Sequence, residues 1–319
     1  MIDLLVRRLA LGVVTVWLVS VIIFAGMEVL PGDACTVVLE RDAQGEVLEN
    51  CRKNLGLDRS AVERYLSWAA GAVRGDFGVA ADGQTKISTE VALRVKNSIL
   101  LAFGALVVGV PLAIFLGVVA GLARDRFPDI FVSTAAIFAM TIPEFVSATI
   151  LVLILSIWLG WLPAVVLTPA DAPMLDFWPE FIPAVIVLIM VMVAHIMRMV
   201  RSSVIEVMAS EYVQMATLKG VPYWRIVFKH ALPSALLPAI NVVALTVAWL
   251  LGGVVVVEVV FNYPGIGRMM IDAISDRDLP IIQALVMLIA ATYVLVNLVA
   301  DLMSMLFNPR LRTLKMRAK

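Results

Sequence analysis

Few side chains in this sequence have the types and spacing that catalysis requires. The two histidines, His195 and His230, are far apart in the chain, and no cluster of cysteines or carboxylates accompanies them at metal-ligand spacing. The sequence contains no GxxxxGKS/T phosphate-binding loop, no HExxH motif and no GxSxG motif. It therefore predicts no catalytic residue, no metal site and no cofactor bound by this chain.

A few polar residues stand inside or beside long apolar runs, where they are costly and therefore informative. Glu144 is the clearest case, because an acid near the centre of a bilayer costs about 2.5–3.5 kcal/mol on insertion scales. It should face a wet cavity or a partner, or else lie at the membrane surface beside a helix break. Asn241 and Glu258 are further candidates to line a pathway. Hydrogen bonding between helices, for Asn241, and a position near a span end, for Glu258, are the alternatives.

Composition places the chain in the membrane class. Of its 319 residues 61% are hydrophobic and 16% are charged, and its mean hydropathy is +0.97. No soluble domain needs so much apolar surface. The formal net charge is zero, which argues against nucleic acid as a partner. The first apolar run is too long for a cleaved signal peptide and has no small-residue cleavage site, so we interpret it as a transmembrane helix.

Six apolar runs are long enough to cross a bilayer as helices. They cover residues 9–27, 97–123, 130–161, 181–197, 236–257 and 281–307. Pro143-Glu144 interrupts the third run, where we expect a kink or a short surface helix that leads into the span. A long polar segment, residues 31–97, separates the first two runs, and a proline-rich loop, residues 162–180, follows the third.

Lysine and arginine are distributed unevenly between the two sides of the predicted membrane. Fourteen fall in the N-terminus, the loop between spans two and three, the loop between spans four and five, and the C-terminal tail. Only Arg268 and Arg277 fall in the two short loops on the other side. The remaining nine lie in residues 31–97, a segment too long for the positive-inside rule to weigh. Both termini are therefore predicted to be cytoplasmic.

The two cysteines, Cys35 and Cys51, both fall in the polar segment 31–97 on the predicted external side. That compartment is oxidising in bacteria, so a disulfide is plausible there. Closing a loop of this length contributes about 3 kcal/mol by chain-entropy arithmetic. We predict the Cys35–Cys51 disulfide, with two free thiols as the alternative.

A polar, helix-forming island, residues 211–238, lies between the fourth and fifth runs. Gln214-Met215-Ala216 is followed by Gly220 and, nine residues later, by His230-Ala231-Leu232-Pro233. Glycine supplies the backbone freedom that ends a helix, and proline cannot continue a helix interior. We therefore predict a helix over 211–219, about 13 Å long at roughly 1.5 Å per residue, and a second short helix after the glycine. Such a helix fits a cleft in a partner protein, although a loop helix that contacts nothing has the same spacing.

The spacing in this island resembles the cytoplasmic EAA loop of ABC importer permeases, and the likeness covers nearly the whole chain. The chain resembles the first of the two permease subunits in the dipeptide, oligopeptide and nickel class of bacterial ABC importers. The matching stretches, in order, are Val6-Arg7-Arg8-Leu9, Leu30-Pro31-Gly32-Asp33, Leu55-Gly56-Leu57-Asp58, Arg64-Tyr65 with Trp68, Arg74-Gly75-Asp76-Phe77-Gly78, Thr141-Ile142-Pro143-Glu144-Phe145, Arg198-Met199-Val200-Arg201-Ser202-Ser203, Glu258-Val259-Val260-Phe261, Tyr263-Pro264-Gly265-Ile266-Gly267, Arg277-Asp278, Asn297, Asp301 and Asn308-Pro309-Arg310. Each is weak alone, but all of them in order are specific. Gln214 and Met215 replace Glu and Ala of the general motif, and His230 replaces Ile.

The resemblance implies an all-α membrane protein with the type I ABC importer permease fold. That fold would have six transmembrane helices, with a long external loop between the first two. The implied domains are an N-terminal helix and periplasmic loop (1–96), a five-helix core with a cytoplasmic coupling loop at 204–233 (97–308), and a basic cytoplasmic tail (309–319). The implied location is the bacterial inner membrane.

The resemblance also implies a transport mechanism with several partners. These are a second, similar permease, two ABC ATPase subunits that bind ATP and magnesium, an extracytoplasmic solute-binding protein, and the lipid bilayer. The coupling residues it implies are Glu211, Gln214, Met215, Ala216, Thr217, Lys219, Gly220, Val221 and Trp224. Glu144, Asn241 and Glu258 would then belong to the translocation pathway.

Other functions share part of this pattern. A passive channel or membrane scaffold would explain six spans and a basic inner face, but not the spacing from Gln214 to Pro233. An exporter subunit usually carries a fused ATPase or long cytoplasmic helix extensions, which the sequence does not show. Within the importer class, peptides, nickel chelates and oligosaccharides all remain possible solutes.

Overall fold

A computed structural model describes residues 2–29, 35–36, 44–54 and 56–307. Within these ranges the chain is helical and contains no strand, with one isolated bridge between Val79 and Lys86. The helices are α1 (Ile2–Val29), α2 (Gly45–Asn54), α3 (Ala61–Val73), α4 (Ile87–Leu122), α5 (Phe127–Thr141), α6 (Glu144–Val152), α7 (Ile182–Met208), α8 (Glu211–Leu218), α9 (Tyr223–Arg225), α10 (Leu232–Ala235), α11 (Leu237–Val260), α12 (Ile266–Ser275) and α13 (Leu279–Phe307). Two π-helical turns, Leu153–Trp158 and Ile226–Ala231, continue α6 and α9.

Among the described residues, five helical stretches are long and apolar enough to cross a membrane. They are Val6–Val29, Ile87–Leu122, Ile182–Met208, Tyr223–Val247 and Leu279–Val299. A sixth span exists if the bent pair of α5 and the α6 stretch counts as one crossing. The predicted all-α membrane architecture is therefore confirmed. The long external loop stays a prediction, because much of residues 30–43 lies outside the described residues.

The third apolar run breaks at Pro143, as predicted. Pro143 has an extended backbone (φ −56°, ψ 143°) and immediately precedes α6. The two helical stretches on either side of it differ in direction by 104°. Proline lacks the amide hydrogen that would continue the helix, and it drives the residue before it out of helical geometry.

Two helices are longer than the apolar runs predicted. Helix α7 continues to Met208, past the end of the predicted run at residue 197 and past Arg198 and Arg201. A charged side chain does not end a helix when it has a partner, and Arg201 pairs with Asp129. Helix α4 begins at Ile87 instead of Asn97, because its first turns pack into a hydrophobic core.

The contacts divide the chain into two compact units. The first unit falls within Met1–Ile99, Leu167–Asp176 and Asn262–Leu295, and the second within Leu100–Val166, Phe177–Phe261 and Val296–Lys319. In the first unit, Ile87 and Leu285 are fully buried in a core that includes Val91, Met269 and Met270. In the second unit α7 is central and packs against α5, α6 and α11.

Candidate coupling surface and transmembrane site

Helix α8 has the length and the C-terminal glycine that the sequence predicts. Gly220 has φ +73°, in the left-handed region that glycine adopts without strain. The amide of Gly220 donates to the Thr217 carbonyl at 3.0 Å, and the amide of Val221 donates to the Ala216 carbonyl at 3.2 Å. These two bonds form a Schellman motif, which satisfies carbonyl groups at the helix end and turns the chain away.

One face of α8 is anchored in a small hydrophobic cluster. Val213 is buried against Ile226 and Ala231 from the π-helical turn that follows α9. Val207 and Met208, at the end of α7, pack on the same cluster. The short helix is therefore packed against the end of a long membrane helix.

The opposite side of this segment exposes large apolar side chains. Exposure reaches 82% for Leu218, 62% for Trp224 and 63% for Phe228. The Trp224 and Phe228 rings stack with their centroids 5.7 Å apart. Leu218 lies outside the membrane-length stretches, whereas Trp224 and Phe228 belong to the stretch Tyr223–Val247, so this exposed apolar surface suits contact with a partner protein or with lipid. We call residues 211–228 the coupling segment.

Most predicted coupling residues are exposed on this segment. Glu211, Gln214, Met215, Thr217, Lys219, Gly220 and Trp224 are exposed, whereas Ala216 and Val221 are partly buried. Four further side chains of this segment are exposed that the sequence analysis did not single out, namely Tyr212, Leu218, Tyr223 and Phe228. Their apolar character beside a helix-ending glycine was a signal that could have identified them.

An ion pair fixes the base from which the coupling segment extends. Asp129, at the start of α5, is 1% exposed and receives Arg201 Nη2 of α7 at 2.8 Å. Its carboxylate also accepts the Asp125 amide at 2.9 Å and the Ser133 hydroxyl at 3.1 Å. A buried charge with this many donors is stably held, and it ties α5 to α7 close to α8.

Glu144 lies in the first turn of α6, and its Oε2 is buried without a hydrogen-bond partner among the described residues. His195 Nδ1 of α7 lies 3.0 Å from the Val191 carbonyl, and its ring centroid lies 5.8 Å from that of Trp249 on α11. The His195 and Trp249 rings therefore pack together across α7 and α11, and the sequence did not single out either of them as a site residue.

For the other predicted site residues, the structure gives the burial of the side chain at most. Glu258 is fully buried near the end of α11. The side chains of Asn241 and Cys51 lie outside the described residues, as does the predicted basic tail. Cys35 is fully buried, and its disulfide with Cys51 stays a prediction. Among the described residues, no three His, Cys, Asp or Glu side chains form a group that could hold a metal ion.

Comparison with known proteins identifies the family of this chain. Residues 109–313 match the model of the binding-protein-dependent transport system inner membrane component, and residues 1–87 match the N-terminal model of the same transport systems. The glutathione transport system permease protein GsiC of Escherichia coli (strain K12) is 33% identical over 312 residues, which cover 98% of this chain and 99% of the relative. The same protein from Shigella boydii serotype 4 (strain Sb227) gives the same values.

These relatives are permeases, which are transport components and not enzymes, and their systems work with ATPase and solute-binding partners. The helices long enough to cross a membrane make the chain a multi-pass membrane protein. The chain belongs to the family of inner membrane components of binding-protein-dependent transport systems, and it is an ABC importer permease of the peptide and nickel class.

Proposed function

We propose that this permease forms half of the pathway that carries peptides, or a similar small solute, into the cell. The observation that carries the proposal is the coupling segment, which exposes aromatic side chains on a base packed against α7. The relatives named for glutathione transport support a peptide as the solute, since glutathione is a tripeptide. Nickel chelates and oligosaccharides are the alternative cargoes.

The complete importer in this proposal contains four further subunits. A second, similar permease completes the pathway, two ABC ATPases bind ATP and magnesium, and an extracytoplasmic binding protein delivers the solute. Both termini and the coupling segment face the cytoplasm, as the distribution of Lys and Arg favours. In this proposal the N-terminal region covers residues 1–96, the transport core covers 97–308 and the tail covers 309–319. The external segment 31–97 helps to receive the binding protein.

The coupling segment transmits the movement of an ATPase to the membrane helices. Leu218, Trp224 and Phe228 enter a groove of the ATPase, where burial of apolar surface stabilises the contact. When ATP closes the ATPase pair, α8 moves as one body, since Val213 anchors it to the end of α7. The access of the cavity then switches between the two sides of the membrane.

Glu144 is the residue of the proposed pathway with the clearest chemistry. Its buried Oε2 lacks a partner among the described residues, so it is available to a cationic group. A peptide with a free amino terminus supplies an ammonium, which a carboxylate accepts and which the face of an indole such as Trp249 also attracts. Asn241 remains a second candidate, whereas the full burial of Glu258 favours a structural role for that residue.

The coupling role is tested by substitutions at the helix end. Gly220→Pro is expected to uncouple the importer, since proline cannot adopt φ +73° and the Schellman motif would be lost. Lys219→Glu reverses a charge on the exposed surface and should act in the same direction. The measurement is solute uptake and binding-protein-stimulated ATP hydrolysis by the reconstituted complex. Normal values of both in a correctly inserted Gly220→Pro variant would refute the coupling role.

Crosslinking gives a second test of the coupling role that needs no loss of activity. A photoreactive residue at Thr217 or Trp224 should capture an ATPase subunit in intact cells, because both positions are exposed on the coupling segment. A photoreactive residue at Gly83, which is exposed in the other unit, is the matched control and should not. Failure of both coupling positions to capture any ATPase would contradict the proposal.

The pathway role of Glu144 is tested separately. Glu144→Ala should reduce uptake of peptides with a free amino terminus at least tenfold, while assembly with the partner subunits is unchanged. N-acetylated peptides, which lack the ammonium, should show a much smaller difference between the wild-type protein and the variant. Wild-type uptake by Glu144→Ala would favour a structural role at the helix break instead.

A further inference from the structure

A cavity of about 390 Å³ lies in the first unit, where two membrane helices end. Its walls include Phe24 and Met27 from the last turns of α1, and Leu279 and Gln283 from the first turns of α13. Trp68 of α3 closes another side. Both helices are long and apolar enough to cross a membrane and the cavity lies at their ends, so we expect it at the level of the lipid headgroups.

Three nitrogen donors at this cavity have no acceptor among the described residues. They are Arg64 Nε, Trp68 Nε1 and Gln283 Nε2, and each of these atoms is buried. Gln283 is only 7% exposed, so solvent does not readily replace the missing acceptor. A buried donor without a partner destabilises the folded chain, because it has lost its hydrogen bond to water. These atoms do not touch the open space of the cavity, so a ligand with several acceptor oxygens reaches them once the three side chains turn toward it.

The side chains around these donors are held in place by aromatic packing. The Tyr65 hydroxyl and the Ser20 hydroxyl are 2.9 Å apart, and the Phe24 and Tyr65 rings meet edge to face at 5.4 Å. The Arg64 guanidinium lies over the Phe24 ring at 5.9 Å and pairs with Glu28. The cavity therefore has fixed walls of α1 and α3.

The charges that line the cavity are balanced. Arg59 and Arg64 are opposed by Glu28 and Asp76. Glu28 already pairs with Arg64, and Asp76 Oδ1 accepts the Gly78 amide at 3.0 Å. A doubly charged free anion would leave a net negative charge in this place. A zwitterion, which brings acceptor oxygens together with an ammonium group, matches the balance better.

We propose that this cavity binds the headgroup of a zwitterionic phospholipid such as phosphatidylethanolamine. The phosphate and ester oxygens accept from Arg64, Trp68 and Gln283 after small side-chain adjustments, and the ammonium lies toward Glu28 and Asp76. The acyl chains follow the exposed apolar side chains of α1, of which Leu18 and Ile22 are 46% and 66% exposed. Indole and guanidinium groups at the membrane surface suit this role.

Native mass spectrometry of the full-length chain tests the proposal. The protein is released from membranes in mild detergent and offered phosphatidylethanolamine and diacylglycerol with the same acyl chains. We expect one phosphatidylethanolamine to be retained and no diacylglycerol, which lacks the phosphate and the ammonium. The double variant Trp68→Phe, Gln283→Leu should retain at least tenfold less of the phospholipid. The matched control Trp161→Phe, Gln84→Leu changes exposed residues outside the cavity and should retain it normally.

Several outcomes would overturn the assignment. Equal retention of the two lipids by the wild-type chain would do so without any variant. Full retention by the double variant would do so as well, and thermal unfolding without lipid checks that this variant folds. Displacement of the lipid by millimolar inorganic phosphate would show a site for free anions. Stoichiometric displacement by the binding protein would assign the cavity to a protein contact instead.

Discussion

Helices α4 and α7 come into close contact within the second unit at two glycines of α4, Gly117 and Gly121. A Cβ atom added at Gly117 would lie 2.6 Å from Val200 Cβ and 2.8 Å from the Met197 carbonyl oxygen. One added at Gly121 would lie 2.8 Å from Val204 Cβ. These glycines stand four residues apart, and backbones come this close in membrane helices where small residues recur at that spacing.

Besides its hydrophobic core, the first unit contains a set of hydrogen bonds around one buried amide side chain. Asn97 is fully buried, and its Nδ2 donates to the carbonyls of Ala170 and Pro264, both at 3.0 Å. The Tyr263 hydroxyl donates to the Asn97 carbonyl at 3.0 Å, and the Ile266 amide donates to Ser98 Oγ at 2.9 Å. We call these contacts the Asn97 network.

The α4–α7 glycine contact and the Asn97 network should respond differently when a helix moves. Close contact between backbones leaves little space between α4 and α7, so a movement of α7 is expected to displace α4 as well. The Asn97 network instead fixes the loop at residues 167–176 and the start of α12 in relation to one point on α4. Hydrogen bonds of this kind specify position, and they can be lost one at a time.

The largest loss of stability is expected at the ion pair between Asp129 and Arg201, where the second unit is held by charges and not by close contact between backbones. Arg201→Ala removes the main partner of Asp129 and leaves a buried carboxylate with only the Asp125 amide and the Ser133 hydroxyl. Breaking such a pair costs about 3–5 kcal/mol, and the partial exposure of Arg201 places this case at the lower end. Thermal unfolding in detergent measures it. Recovery of stability in the double variant Arg201→Ala, Asp129→Ala would confirm that the unpaired charge is the cause.

The glycine contact gives the next largest effect. Gly117→Val forces α4 away from α7, because one of the atoms that it meets belongs to the backbone and cannot rotate aside. Overpacking of this kind typically costs about 1–3 kcal/mol. Gly26→Val is the matched control, since nothing lies within 4 Å of that position. Equal unfolding temperatures for the two variants would show that the close approach of α4 and α7 is not required.

The Asn97 network is expected to lose stability in steps. Asn97→Ala leaves the carbonyls of Ala170 and Pro264 without their donor, at a cost of about 1–3 kcal/mol. Ser98→Ala removes the acceptor of the Ile266 amide and should cost less. Hydrogen exchange at residues 167–176 should rise in the first variant while α7 stays protected. Increased exchange in α7 as well would contradict the division into two differently held units.

The sequence predicted local features, namely helices and the points where they break or end. It did not predict contacts between residues that are far apart in the chain. Long apolar runs predicted the spans, Pro143 predicted the break, and Gly220 predicted the end of α8. The pairing of Asp129 with Arg201 joins residues that are 72 positions apart, and no periodicity indicates such a partner. Asn97 was interpreted as the start of a span, but it lies inside α4 at the centre of a network. Partners of buried polar groups are set by tertiary packing, which hydropathy does not encode.

The smallest expected effect is a dependence of the unfolding temperature on pH, caused by Asp278 in the first unit. Burial raises the pKa of Asp278, and the charges of Asp82 and Asp276 raise it further, against the Ala81 and Ile281 amides that lower it by donating to the carboxylate. A carboxyl whose pKa is raised on folding contributes stability that is fully present below its unfolded pKa of about 3.9. That contribution is lost as the pH rises through the folded pKa.

Asp278→Asn removes this titration, so the unfolding temperature of the wild-type protein should fall relative to the variant as the pH rises from about 4 to 8. Asp276→Asn removes one of the charges that raise the pKa of Asp278, and it should move the same loss to lower pH. Thermal unfolding at a series of pH values in one detergent measures both effects. A constant difference between the wild-type protein and Asp278→Asn across this range would mean that the buried carboxyl does not change protonation on unfolding. The amides of Ala81 and Ile281 would then stabilise the carboxylate enough to offset its burial.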